Sequence, residues 1–167
     1  FLSGMLSIYP KAKIFSINLS EVLIHDYLIL KKYNILSDEN ICVLEKTEDL
    51  KKPEVKLFLV PPDNSNILKN NKIDLFVNFS SFQEMRLSDI KNYFDIIKSN
   101  KSYLYTCNRY HKILPAGEVL DFKDYPWGDG SKIFFEKCQW ISKYYSFKYP
   151  FFHDYDGDHW HCLISYG

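Results

Sequence analysis

Short apolar, strand-like runs alternating with helix-like segments predict a three-layer α/β chain with a mostly parallel sheet and a late antiparallel hairpin. Three observations carry this prediction. Ile73-Asp74-Leu75-Phe76-Val77-Asn78-Phe79 is an apolar run of the kind that fills a central strand buried on both faces. It is followed by a segment with apolar residues at helical spacing, Leu87, Ile90, Tyr93, Phe94 and Ile97. A second strand, Ser102–Cys107, comes directly after that helix, which makes a strand–helix–strand unit.

The remaining elements follow in order. Residues 1–9 read as the end of a helix that Pro10 stops, because a residue before proline avoids the helical region. Lys13–Asn18 is a short strand. Ser20 is the expected N-cap of a helix carrying Leu19, Val22, Leu23, Tyr27, Leu30 and Tyr33, with Lys31 and Lys32 in its last turn. Ile41–Leu44 is a weak strand and Lys56–Val60 a better one, ended by Pro61-Pro62. Ser88 is the expected cap of the helix before Ser102. Residues 109–131 hold Pro115, Gly117, Pro126, Gly128 and Gly130, so a long ordered loop or lid is expected there. Ile133–Trp140 and Trp160–Tyr166 read as late strands, with a polar turn at His153–His159.

Composition limits the function classes. The chain has 167 residues, which suits one domain, and 46% of them are hydrophobic, enough for a real core. Lys+Arg and Asp+Glu are equal at 21 each, so no basic excess marks a nucleic-acid surface. No stretch approaches the ~18 apolar residues of a membrane span, and the first residues have no charged leader region. Cys42, Cys107, Cys138 and Cys162 show no CxxC spacing, so neither a zinc ribbon nor a redox motif is indicated, and scattered thiols suit a reducing cytosol.

The segment Asp74–Met85 is the most informative for chemistry. An apolar strand ends abruptly in Asn78, Ser80, Ser81, Gln83 and Glu84. Ligands in open α/β sheets bind outside the carboxyl ends of the strands, so these polar groups are candidates for holding one. Asn and Ser also form turns, but Gln83 and Glu84 are not turn residues. Asn108-Arg109-Tyr110-His111-Lys112 follows the next strand on the same rim. Arg109 and Lys112 suit a phosphate, and His111 suits a base. Tyr125 and Trp127 can stack on a sugar ring or anchor the lid. His153, Asp154, Asp156, Asp158, His159 and His161 invite a metal reading, but they lack the calcium-loop and HExxH layouts, so a polar hairpin turn is preferred and no metal site is assigned.

The runs DLFVNFSSFQEM, IKNYFDII, SYLYTCNRYHK and YPWGDG, together with YPKAKIFSINLSEVL upstream, resemble the sugar O-methyltransferases, which are similar to other class I S-adenosylmethionine-dependent enzymes. The resemblance covers about Phe1 to Trp127. It implies a Rossmann-like class I methyltransferase sheet and transfer of a methyl group from S-adenosylmethionine to a sugar hydroxyl on a small molecule or glycan. It implies cofactor contacts from Asn18, Leu19, Asn78 and Phe79. Acceptor contacts would come from Ser81, Gln83, Asn108, Arg109, Lys112 and Trp127, with Glu84 or His111 as the base. No nucleic-acid or membrane partner is implied, and the setting is cytoplasmic.

Two departures shape the expectations. The family's glycine-rich first strand and turn are absent from these 167 residues, and Asn18 stands where an acidic residue accepts the ribose hydroxyls. Residues 1–167 are therefore expected to form a partial methyltransferase domain lacking its first strand. The Ile14 and Phe76 strands would then be left either with a gap between them or paired directly. Two alternatives stay open. One is a non-catalytic remnant of the same fold acting as a binding or assembly protein. The other is a metal-assisted glycosyltransferase using Asp154, Asp156 and Asp158.

Overall fold

The structure, a computed structural model, describes residues 2–155 and 157–167. It is a mixed α/β chain with parallel and antiparallel sheets, and it divides into two compact units, Phe1–Leu68 and Lys69–Gly167.

The first unit holds helix α1 (Leu2–Ile8), strand β1 (Ile14–Ile17), helix α2 (Ser20–Lys32), β2 (Ile41–Val43) and β3 (Leu57–Val60). The three strands form a parallel sheet in the order β1-β3-β2, with Ile14 and Ile41 both opposite Leu57. The central strand is apolar throughout, and all four of its residues are buried. That matches a parallel strand covered on both faces. On one side Leu57 and Leu59 pack with Leu6, Leu23 and Leu30 from the two helices. Phe58, from the alternate set of side chains, stacks on Phe15 with ring centroids 4.9 Å apart.

Sequence-local chemistry sets the ends of α2. The expected Ser20 cap is corrected: Leu19 occupies the cap position with no side-chain cap bond, and Ser20 is the first helical residue. Asn18 Oδ1 instead accepts from Leu19 N–H at 3.0 Å. At the other end Asn34 takes a left-handed conformation (φ 51°). Ile35 N–H then donates to Leu30 C=O and Asn34 N–H to Lys31 C=O. This pair of bonds caps the last carbonyls, and Asn tolerates the left-handed position better than most residues.

The second unit holds β4 (Leu75–Phe79), α3 (Leu87–Ser99), β5 (Tyr103–Arg109), the ribbon β6–β7 (His111–Ile113 and Val119–Asp121) and β8 (Ser131–Lys137). A second ribbon, β9–β10 (Lys143–Tyr145 and Phe152–Asp154), and β11 (His159–Ser165) complete it. The main sheet has the order β4-β5-β11-β8. β4 and β5 are parallel, and β11 runs antiparallel to both of its neighbours.

One face of this sheet packs on α3. The stripe read from the sequence is present: Ile90, Phe94 and Ile97 are buried against Leu104, Cys162 and Ile164, with Leu87 and Tyr93 packed at the margin. Ser88 does not cap α3. The helix begins at Leu87 behind Arg86, and the Glu118 carboxylate accepts from Leu87 N–H at 3.0 Å. A carboxylate brought from the β6–β7 connection thus serves the orphan N–H groups and the positive end of the helix dipole.

Further expectations are corrected or narrowed. Ile73–Phe79 is not a central strand buried on both sides: β4 is the edge of its sheet, and Leu75, Val77 and Phe79 are 47%, 37% and 40% exposed. Of the two arrangements expected for the Ile14 and Phe76 strands, direct pairing is not formed, since β1 and β4 belong to different sheets. Residues 109–131 are not an open lid. They contain the β6–β7 ribbon, and Leu114, Leu120, Phe122, Tyr125 and Trp127 from this segment are buried in the core. The turn expected at 153–159 likewise includes the strand Phe152–Asp154, paired with Lys143–Tyr145. Among the described residues no helix is long and apolar enough to cross a membrane. All four cysteines are free.

Candidate functional site

β4 and β5 end side by side, with Asn78 opposite Thr106 and Phe79 opposite Cys107. The chain then turns sharply at Ser80, which is left-handed (φ 51°) and donates its N–H to Cys107 C=O at 2.8 Å. This turn brings residues 81–84 back over the ends of both strands. Strand alternation places Asn78, Thr106 and Asn108 on a common face of the sheet.

The side chains there form one connected polar array. Asn108 Nδ2 donates to Asn78 Oδ1 at 2.9 Å and to Thr106 Oγ1 at 2.7 Å. Asn108 Oδ1 accepts from Gln83 N–H at 3.2 Å. Gln83 Oε1 accepts from Arg109 N–H at 2.7 Å, and Gln83 Nε2 donates to Glu84 Oε1 at 3.2 Å. The ammonium of Lys112, from the ribbon, sits 3.2 Å from the same Glu84 oxygen. Thr106, Asn108 and Gln83 are buried. Each therefore needs its partners, because a buried polar atom without one costs ~1–3 kcal/mol.

The array separates scaffold from reactive surface. Both amide groups of Asn108 and Gln83 are committed internally, so these side chains shape the rim rather than meet a ligand. Glu84 is different. Its side chain is 54% exposed, and Gln83 and Lys112 hold only Oε1, so Oε2 is open to solvent. An exposed carboxylate fixed at one oxygen can accept a hydroxyl hydrogen bond at the other. Burial, and then the charge of Glu84, push the pKa of Tyr125 upward.

The structure gathers Asn78, Gln83, Glu84, Asn108 and Lys112, with Arg109 joining through its backbone. It does not bring the remaining candidates to the array. Trp127 is buried in the core and donates its ring N–H to Phe122 C=O at 3.1 Å, so it anchors its segment and presents no face to a sugar. Phe79 points to the opposite sheet face, against Tyr105 and Trp140. Ser81 is exposed. Asn18 and Leu19, both exposed, belong to the other unit, at the carboxyl end of β1. His111 is held by Asp121, with Nδ1 2.7 Å from Oδ1.

Sequence reasoning missed Thr106, Glu118 and Asp121. Thr106 looks like an ordinary strand residue, and the two acids lie in a segment read as lid. It also missed a group on the Phe79 face, where Tyr105 Oη and His161 Nδ1 share a hydrogen bond of 3.2 Å and Glu136 lies 3.5 Å from His161 Nε2. Burial pushes the Tyr105 phenol up to about 12.

The acidic–histidine segment does not converge on a metal. Among the described residues no cluster of three or more His, Cys, Asp or Glu side chains is placed to hold one. Asp158 pairs with Lys137 at 2.7 Å and Asp154 with Lys143 at 3.8 Å. Asp156 lies outside the described residues.

His159, opposite Arg109 across the β5–β11 ladder, is buried, and its Nδ1 has no hydrogen-bond partner among the described residues. Burial, helped by the Arg109 charge and opposed by Asp158, lowers its pKa from the usual 6.5. The unfolded chain therefore binds this proton more readily than the folded one. The stability that neutral His159 permits is complete above pH ~6.5 and is lost as pH falls below it, at no more than ~1.4 kcal/mol per pH unit for one group. Urea unfolding of wild type and His159→Phe between pH 7.5 and 5 checks this: wild type should lose more stability than the variant over that range, and equal losses would refute it.

No protein-family model, curated protein or solved structure matches the chain.

Proposed function

We propose that this chain takes part in S-adenosylmethionine-dependent O-methyl transfer to a sugar hydroxyl, as a class I, Rossmann-like methyltransferase domain of the cytosol. The observation that carries the reading is the array at the carboxyl ends of β4 and β5. It is a rigid, satisfied amide scaffold that leaves one carboxylate oxygen, Glu84 Oε2, facing solvent where an α/β sheet binds its ligand.

When bound, the cofactor supplies an electrophilic methyl group on a sulfonium. The chain's own part is to place the acceptor oxygen, and placement alone can supply much of the rate. Glu84 accepts a hydrogen bond from an acceptor hydroxyl, Lys112 keeps the carboxylate aimed, and Gln83 ties it to the amide scaffold.

Calorimetry with S-adenosylhomocysteine on the full chain tests the reading, together with methyl transfer to sugar acceptors. Saturable one-to-one binding is expected. Glu84→Gln should raise the acceptor KM roughly tenfold or more, the worth of about 1.5 kcal/mol for a hydrogen bond to a charged group. A second reading is a non-catalytic binding subunit of the same fold, favoured because Asn18 brings no charge to the ribose hydroxyls. Absence of any heat with S-adenosylhomocysteine would select that second reading.

A further inference from the structure

We propose that the β9–β10 ribbon is a membrane-docking element whose aromatic tip enters the interfacial layer of a bilayer carrying anionic lipid. The proposal is independent of the methyl-transfer reading. It concerns a surface contact, which needs no spanning helix, and it replaces the membrane-free expectation drawn from the resemblance.

The tip turns large rings to water. Phe147 and Tyr149 are 90% and 86% exposed, and Phe152 and Tyr145 are 61% and 57% exposed. A ribbon lying on a protein surface keeps one face apolar and the other polar, because strand side chains alternate. This ribbon carries rings on both faces. Tyr145 stands opposite Phe152 on one, and Tyr144 opposite His153 on the other. The paired rings meet across the strands, at 5.8 Å and 5.5 Å between centroids. A protein groove receives a single face of a ribbon. An element that is aromatic all round matches a fluid medium that can surround it.

Entry into lipid also requires that backbone polar groups find partners within the segment, because the medium offers none. The turn between the two strands supplies its own. Ser146 N–H donates to Phe151 C=O at 2.7 Å, Phe151 N–H to Lys148 C=O at 2.8 Å and Phe152 N–H to Pro150 C=O at 2.9 Å. Lys148 N–H donates to Ser146 Oγ at 3.2 Å, and His153 Nε2 lies 3.2 Å from Lys148 C=O. Pro150 has no N–H to satisfy. The same bonds fix the turn, so little ordering is left to be done when the tip docks.

Charge selects the kind of bilayer. From Lys137 to His153 the sequence has three lysines and no acidic residue. Two of these lysines are paired at or below the base of the ribbon, Lys137 with Asp158 at 2.7 Å and Lys143 with Asp154 at 3.8 Å. Lys148, between Phe147 and Tyr149 at the tip, is exposed and has no ion-pair partner among the described residues. Its ammonium complements an anionic headgroup, and its long stem keeps the charge at headgroup level while the neighbouring rings go deeper. Tyrosine rings favour that same boundary, with the hydroxyl in the wet layer and the ring below it.

Co-sedimentation of the full chain with vesicles tests the proposal, using phosphatidylcholine alone and phosphatidylcholine mixed with phosphatidylserine. Wild type should bind the mixed vesicles roughly fivefold more tightly than the neutral ones, the worth of one lysine near an anionic surface. Lys148→Gln should remove that preference and leave binding to neutral vesicles unchanged. Phe147→Ser combined with Tyr149→Ser should weaken binding to both vesicle types by roughly tenfold or more, since two rings no longer leave water. Both positions are exposed, so the circular dichroism spectrum of the double variant should match wild type. Absence of wild-type binding to either vesicle, or equal binding by the double variant, overturns the proposal. So does self-association of wild type without vesicles that the double variant abolishes, because a second copy of the chain would then cover the tip.

Discussion

Phe94→Ala is expected to lower the stability of the second unit by about 3–5 kcal/mol, the range for truncating a fully buried aromatic. Phe94 is completely buried in α3 at the centre of an aromatic cluster. Its ring meets Phe82 at 5.9 Å, Tyr125 at 6.4 Å and Trp127 at 5.4 Å between centroids, the last two edge-on. Two different segments contribute those partners, so no single neighbour can move in to fill the space without breaking its own contacts. Most of a small domain's net stability is of this size. The variant should therefore unfold at much lower urea concentration or fail to accumulate as a folded chain. A loss under about 1 kcal/mol would show that the helix does not pack on the sheet through this face.

The second large effect is expected at Asn108. Asn108→Leu keeps the volume but removes both halves of the amide at once. Gln83 N–H loses its acceptor, and Asn78 Oδ1 and Thr106 Oγ1 lose a donor. Asn78 Oδ1 keeps Phe82 N–H and the Thr106 hydroxyl, each at 3.4 Å, so the buried orphan is Gln83 N–H and the cost should be ~1–3 kcal/mol, reduced wherever water can enter. The local signature should be larger than the global one. Hydrogen exchange at Gln83 N–H should accelerate strongly, because the turn over the strand ends loses its tether. Ser81→Ala, three positions along from Asn78 and exposed, serves as the control and should stay within ~0.5 kcal/mol of wild type. Unchanged exchange at Gln83 in Asn108→Leu would mean that the turn is held by other forces.

The two sites differ in how readable they were. The α3 stripe follows from helical spacing alone, since a period of 3.6 places Ile90, Phe94 and Ile97 on one side. The rim was legible in part because Asn78, Gln83 and Asn108 stand at abrupt apolar-to-polar transitions, and strand ends are where α/β sheets place ligands. The place of a strand within a sheet is not a local property. Leu57–Val60 and Leu75–Phe79 have similar apolar character, yet the first is flanked on both sides and the second is an edge. The 109–131 segment misled for a related reason. Its Pro and Gly residues mark turns correctly, but the burial of Leu120, Phe122 and Trp127 depends on contacts with α3 and β8 that have no periodic signature. Helix caps failed similarly: Ser20 and Ser88 have the right chemistry, but Glu118, thirty-one positions from Leu87, does the work at α3. His111 stood out as a residue, whereas its partner became visible only once the ribbon register set Asp121 across from it.

All three tryptophans, Trp127, Trp140 and Trp160, lie in the second unit, and the first has none. Indole emission therefore reports on residues 69–167 alone. Far-ultraviolet circular dichroism, by contrast, draws on both units, since α2 and α3 are thirteen residues each. Following one denaturation with both signals separates the melting of the two halves without labels or dissection. Coincident curves would reveal a single cooperative transition, and displaced ones would give each half its own midpoint.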